Sequence, residues 1–288
     1  MKTRRRTRFG AVVETLRLLK ENKLIFAGFV ILCAFLIAAV VTPLVIPYRT
    51  VTTVDFKNKL LPPSLTYPLG TDDFGRNLLI VILWGCTEDM STMVAVLSLA
   101  LTIGILLGST SGFLGGKIDE AVMRLTDIFL AFPSLILAMT LAALLGHSLL
   151  NLTLAISLVY WPDITRLIRG QVIAERSRTY IESLRASGVG RIRILFAHIL
   201  PNSIQPVMIQ VTFKAPWVII TLAGLNFLGF GPGPFTPEWG QLISNGYTYF
   251  FLAPWVVMFS GFAILLASLS FNLFGDGLRD VLDPRLRR

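Results

Sequence analysis

The feature that most constrains this chain is an uncharged apolar run from Leu24 to Ile46. It is long enough to cross the ~30 Å hydrocarbon core of a bilayer. Backbone groups in lipid have no water to bond, so such a run must be helical. Similar runs recur at Met90–Phe113, Met123–Gly146, Leu149–Ile168, Ile204–Leu228 and Ala253–Phe274. The third holds Asp127 near its start and Pro133 within it; the fifth is interrupted by Pro206, Lys214 and Pro216. Composition agrees: 54% of residues are hydrophobic and 15% charged, where a soluble domain carries roughly 25% charged. The expectation is an all-α integral membrane protein with six transmembrane helices.

The polar segments set the orientation. Residues 1–23 are basic, and Phe9, Val12, Val13, Leu16 and Leu19 are spaced for an interfacial helix lying on the membrane. The segment from Tyr48 to Asp89 reads as a long polar outer loop with Pro62, Pro63 and Pro68. Placing the N terminus in the cytoplasm puts the basic arm, Arg169 to Arg193 and the Arg-rich tail inside. Only Arg49, Lys57, Lys59 and Arg76 then lie outside. That is a positive-inside pattern with both termini cytoplasmic. The net charge of +9 therefore points to membrane lipid headgroups, not nucleic acid. No cleavable signal peptide is expected, because the first run is span-length and is followed by Thr42-Pro43. Composition divides the chain into 1–86, a five-span block at 87–276, and a tail at 277–288.

The longest polar, basic interruption of the second half lies within 175–201. It reads as two short amphipathic helices broken at Gly188-Val-Gly190. Tyr180, Ile181 and Leu184 share a face of the first; Ile192, Leu195, Phe196 and Ile199 share a face of the second. Gly188 sits where a helix ends in a left-handed residue, and Pro201 is read as the stop of the second helix. A bland connector would be shorter. This insert has apolar faces of its own and is expected to press against something.

Glu182-Ser183-Leu184, Gly188 four residues on, and His198-Ile-Leu-Pro201 together resemble the Glu-Ala-Ala loop of permease subunits in ABC importers, with Ser183 and Leu184 at the alanine positions. Other motifs extend the resemblance in order along the chain. They are Tyr67-Pro-Leu-Gly-Thr-Asp-Asp-Phe-Gly-Arg76, Gly112-Phe-Leu-Gly-Gly-Lys-Ile-Asp119, Met123-Arg-Leu-Thr-Asp127, Ala131-Phe-Pro133, Pro201-Asn202, Pro237-Glu-Trp-Gly240 and Asn272 to Asp280, ending at Asp283-Pro284-Arg285. Together they are similar to the C-type permease of dipeptide/oligopeptide importers.

The resemblance implies a type I ABC importer permease fold in a prokaryotic inner membrane. It implies a homologous second permease subunit as partner in a heterodimer, two cytoplasmic ATPase subunits that bind ATP and magnesium, and an extracytoplasmic substrate-binding protein. Tyr180, Glu182, Ser183, Leu184, Arg185, Ala186 and Gly188 would form the cytoplasmic coupling helix. Related permeases carry oligosaccharides or nickel chelates, so cargo stays open. Gly85-Cys-Thr-Glu-Asp-Met90 departs from the usual Gly-Ala-Arg-Xaa-Ser-Leu run, and Asp163 after Trp161-Pro162 is also unusual.

Single residues carry narrower expectations. Arg76 is expected to pair with a carboxylate of its own loop, and Asp127 with Arg124 one turn away. Lys214 either snorkels or faces the translocation path. Trp239, in the Gly/Pro-rich Gly229–Leu252 segment, is expected at the membrane interface as part of a cap or gate. Cys33 and Cys86 read as small apolar filler. Gly116-Lys117 does not close a phosphate loop, since Ser111 and Ile118 occupy the flanking motif positions. His147 and His198 fall on opposite membrane faces, so no metal site or nucleophile–base pair is expected. No cofactor and no catalysis are expected of this chain itself. An ion-gradient-driven transporter would favour paired midplane acids in both halves; the spans as bounded here, one, two and six above all, do not offer them.

Overall fold

The computed structural model describes residues 22–282. The expected N-terminal interfacial helix and the Asp283-Pro284-Arg285 end lie outside the described residues. The regular structure among the described residues is helical, with one isolated bridge between Thr71 and Asn77. The long elements are α1 (Lys23–Val45), α2 (Leu78–Leu114), α3 (Gly116–Leu130), α4 (Ser134–Leu145) and α5 (Leu149–Arg176). After them come α6 (Thr179–Ala186), α7 (Arg191–Ile194), α8 (Leu200–Phe227), α9 (Trp239–Tyr247) and α10 (Pro254–Leu282).

Among the described residues, four helices are long and apolar enough to cross a membrane: Lys23–Val45, Leu78–Leu114, Pro206–Phe227 and Pro254–Asp280. The pair α3 and α4 adds a fifth if it counts as one span, but it bends by 91°. The third run is therefore not straight. Ala131 ends α3, and Pro133, which has no N–H to continue the ladder, starts α4. Helix α5 contains the fourth apolar run but also Asp163, Arg166, Arg169 and Glu175. It lies in the most extensive helix pair of the bundle, along α2. A helix walled in by neighbours need not be apolar all round.

Three glycines explain that close pairing. A Cβ on Gly104 would sit 2.5 Å from Ile164, one on Gly108 2.5 Å from the Thr165 carbonyl, and one on Gly112 2.8 Å from that of Arg169. Glycine every fourth residue makes a smooth stripe on which α5 rides, as in small-residue packing of membrane helices.

Two of the expected boundaries are corrected. The second long helix begins at Leu78, not Met90. Leu78–Trp84 is an apolar run that extends it, and Glu88 and Asp89, taken as the end of the outer loop, lie in its interior. Tertiary burial of Asp89 makes this possible. The compositional division at 86/87 thus falls inside a continuous helix. In the insert, Pro201 does not stop a helix. A π-helical turn, Leu195–Ile199, leads straight into α8, and Leu200 N–H bonds the Leu195 carbonyl. Pro201 then occupies the first turn of α8, where its missing donor costs little.

The interior has two clusters. One, around Leu78, Ile156, Leu222, Trp239 and Val256, lies toward the Gly229–Leu252 segment. The other, around Trp161, Ile164, Ile168, Ile181, Ile194 and Ile199, lies toward the basic insert.

Candidate functional site: the basic insert and the opposite cap

The insert is pinned from beneath and open above. Ile181 is fully buried against the second cluster, and Leu184 and Val189 are half-buried beside it. The carboxylate of Glu175, at the end of α5, is 6% exposed and gathers three partners. Arg178 Nε lies 2.8 Å from Oε2, while Tyr180 Oη (2.6 Å) and Asn202 Nδ2 (3.2 Å) donate to Oε1. Asn202 also donates to the His198 carbonyl at 2.9 Å. One acid thus ties the end of α5 to the starts of α6 and α8. Desolvation, first, and the neighbouring Glu175 raise the Tyr180 hydroxyl pKa above its usual value, which keeps Tyr180 a donor.

Glu182, Ser183, Arg185 and Ala186 face solvent. Glu182 lies in the first turn and Arg185 in the last, the order that favours the helix dipole. Neither makes an ion pair among the described residues. The helix ends in a Schellman motif: Gly188 N–H bonds the Arg185 carbonyl at 3.0 Å and Val189 N–H that of Leu184 at 3.1 Å. Gly188 has φ +77°, as its place in the sequence predicts, and nothing lies within 4 Å of where a Cβ would be.

The second apolar face is only partly as expected. Ile199 is buried and Leu195 half-buried, but Ile194 takes the inward position, and Ile192 and Phe196 stand 76% and 58% exposed. Ile192 and Phe196, one turn apart, line an open groove together with Gly190, Arg191, Arg193 and Ala197. A separate cavity of about 430 Å³ is lined by Phe113, Leu114, Arg176, Arg185, Val189 and Arg191.

The ionic expectations for the spans are revised. Asp127 pairs with Arg166 of α5 at 2.8 Å, and Arg124 with Glu120 at 3.6 Å. Asp127 thus takes its partner from a neighbouring helix, and Arg124 turns back along its own to Glu120. Asp119 takes a bidentate bond from Arg169 (2.5 and 2.6 Å) and one from Ser111 Oγ, joining α2, α3 and α5. Lys214 meets Asp163 at 2.7 Å, with its Nζ 5.5 Å from the Tyr160 ring centroid. The unusual Asp163 is therefore the partner of Lys214.

The opposite end is sealed. Arg76 pairs with Asp72 as expected (2.6 Å), and its Nη1 also donates to the Val51 and Phe235 carbonyls at 2.8 and 2.9 Å. In the same loop, burial first and the adjacent Asp72 second push the Asp73 carboxyl up to about 6. Trp239 is not at an interface: it is fully buried. Its Nε1 donates to the Ile82 carbonyl (3.1 Å) and its N–H to Asp89 Oδ2 (3.1 Å). Gly85 makes room, since a Cβ there would lie 2.4 Å from the indole. Glu238 caps α9 through Gln241 N–H at 2.6 Å. Glu175 and Asp89 are among the residues that sequence reading did not place. For Asp89 the departure at Gly85–Met90 was a signal; Glu175 had only its position as an acid among arginines.

Span-length apolar helices packed around a glycine-lined pair, capped at one end and carrying a basic insert at the other, define a multi-pass membrane protein. Residues 100–288 match the family described as "Binding-protein-dependent transport system inner membrane component". Residues 12–63 match "N-terminal TM domain of oligopeptide transport permease C". The chain belongs to this family of inner-membrane transport components, as an ABC permease of the peptide-transport group. It is 40% identical to the dipeptide transport system permease protein DppC of Alkalihalophilus pseudofirmus, over 95% of this chain and 90% of the relative. It is 38% identical to the probable D,D-dipeptide transport system permease protein DdpC of Escherichia coli, over 99% and 95%. To the oligopeptide transport system permease protein OppC of Bacillus subtilis it is 35% identical, over 93% and 88%.

Proposed function

We propose that this chain is a non-catalytic permease subunit of an ATP-driven importer that takes up dipeptides or oligopeptides. An extracytoplasmic binding protein delivers the cargo, two cytoplasmic ATPases supply the work, and a homologous second permease completes the path. In this reading the chain makes six crossings, with α5 as the shielded one and both termini in the cytoplasm. Helix α6 is the coupling helix. The observation that carries the reading is its two-sidedness: Ile181 and Glu175 fasten one side to the bundle, while Glu182, Ser183, Arg185 and Ala186 are left outward. A docking element needs small residues for close approach and a few charges for register, and it must be rigidly joined to the spans that it moves. The transport cycle is then a population shift, driven by ATPases that bind the two transporter states with different affinity.

The test is reconstitution of the chain with its co-expressed partners in proteoliposomes. Uptake of a labelled dipeptide should require both ATP and the binding protein. Uptake driven by an ion gradient without ATP would overturn the reading. Orientation is tested in a Cys33/Cys86-free background: Thr52→Cys and Thr236→Cys should label from outside with an impermeant thiol reagent. Thr179→Cys should label only after permeabilisation, and its labelling in intact cells would reverse the topology.

A further inference from the structure

Two acids meet beneath the cap with no base to balance them. Asp89 of α2 and Glu238, the N-cap residue of α9, are both fully buried, and the N–H of Trp239, the residue next to Glu238, donates to Asp89 Oδ2 at 3.1 Å, which brings the two acids together. Backbone N–H groups of α9 occupy one oxygen of each: Trp239 N–H on Asp89 Oδ2 and Gln241 N–H on Glu238 Oε2. The other oxygens, Asp89 Oδ1 and Glu238 Oε1, have no donor among the described residues. Asn226 of α8, also fully buried, lies against Glu238 with neither polar atom satisfied elsewhere. Gly231 makes room for it, as a Cβ there would lie 2.1 Å from Asn226 Oδ1.

Neither acid makes an ion pair among the described residues. On α2 the nearest titratable groups are Glu88 and the buried thiol Cys86. Helix α1 has no charged residue from Leu24 to Val45, nor α10 from Pro254 to Gly275. The single base of α8, Lys214, is taken by Asp163. Arg76 pairs with Asp72 and donates to the Val51 and Phe235 carbonyls; its Nη2 has no partner among the described residues, and it forms no ion pair with Asp89 or Glu238. Two full negative charges held side by side out of water would repel each other strongly. A hard cation could neutralise them, but it would need about six oxygens. Only three stand free here, those of Asp89, Asn226 and Glu238. A proton needs two.

We propose that Asp89 and Glu238 form a proton-binding site in which one shared proton fastens the Gly229–Leu252 cap to helix α2. The proton bridges Asp89 Oδ1 and Glu238 Oε1, and Asn226 Nδ2 donates to Glu238. Every buried polar atom of the pair is then satisfied. Burial holds the Glu238 carboxyl above its ordinary range, in the same sense. Losing the proton leaves two buried like charges, so the cap loosens as pH rises. This inference does not depend on cargo, orientation or ATPase partners.

The test uses the full-length chain in lipid nanodiscs, with Asp89→Asn and Glu238→Gln as two independent variants. Each replaces one carboxyl by an amide that can still bridge to the other. In neutral buffer, infrared difference spectra should show a protonated-carboxyl band in the wild type that is lost in both variants. The wild-type melting midpoint should fall from the acid to the alkaline end of the pH range, because the folded state binds the extra proton. Asp89→Asn should flatten that slope and equal or exceed the wild type at the alkaline end. If Asp89→Asn fails to fold, Glu238→Gln carries the same two readouts. Absence of the band, or parallel pH profiles in wild type and variants, would overturn the proposal. A midpoint lowered by chelator and restored by calcium would overturn it too, in favour of a cation.

Discussion

The insert and the cap sit at opposite ends of one bundle and are built on opposite rules. Helix α6 buries one large side chain, Ile181, and leaves its charged residues in solvent without partners. The cap around α9 buries Trp239, Glu238 and Gln241 and turns its polar groups inward onto Asp89 and Asn226. A surface that must meet another protein keeps its charges free and its backbone regular. A lid that must hold its place satisfies its own polar groups and accepts close backbone contact. Glycines mark the difference. Gly188 is there for its positive φ, with empty space around it, whereas Gly85 and Gly240 are there because nothing larger fits.

The sharpest way to break this contrast is to overfill the cap. A Cβ on Gly240 would lie 2.4 Å from the Ala223 backbone, which has no flexible end to move. Gly240→Val is expected to cost about 3 kcal/mol or more, read as a lowered melting midpoint with loss of uptake. Next comes the acid beneath the insert. Glu175→Ala strands Tyr180, Arg178 and Asn202, and about 2 kcal/mol should be lost. Faster hydrogen exchange should be confined to residues 175–202, with the cap unchanged.

Gly188→Val tests the open side. No neighbour would be struck, so the expected cost of about 1–2 kcal/mol is purely that of left-handed backbone. Gly188→Asn should recover most of it. In the reconstituted importer, Gly188→Val should depress uptake more than its small stability loss explains. Full uptake would reduce the insert to a connector.

Asp73→Asn sharpens the cap side by pH. The Asp73 carboxyl is raised to about 6, so its charged form is the costly one. Wild-type stability should therefore decline as pH rises through that value, and the Asn variant should lack that decline. Smallest in stability is Glu182→Lys, an exposed change expected to leave the midpoint within about 0.5 kcal/mol of wild type. Its effect should fall instead on ATP turnover stimulated by the binding protein.

Legibility followed the same division. The breaks at Gly115 and Gly188, the start of α5 at Leu149 and the Asp72–Arg76 pair are local matters, each set within a few residues of chain. The partners of Asp127 and Lys214 were not readable, because both lie on other helices. Within α6 the outward set Glu182, Ser183, Arg185 and Ala186 follows from helical periodicity around Ile181. Along 191–199 periodicity chose Ile192 and Phe196 for the buried face, but the packing took Ile194 and left both of them exposed.

By itself, then, the sequence determined that this chain is helical and lives in a membrane, because uncharged span-length runs leave the backbone no other way to be satisfied. It determined the family as well, through motifs kept in order from Tyr67 to Asp280. Only the tertiary structure decided where charge can be buried. Asp89 can lie inside a long helix because the Trp239 N–H reaches it from a segment far along the chain. Glu175 can anchor two helices because Asn202 returns to it across the insert. The cost of a buried polar group depends on partners that only folding brings within 3 Å or so, and no local pattern of residues announces them.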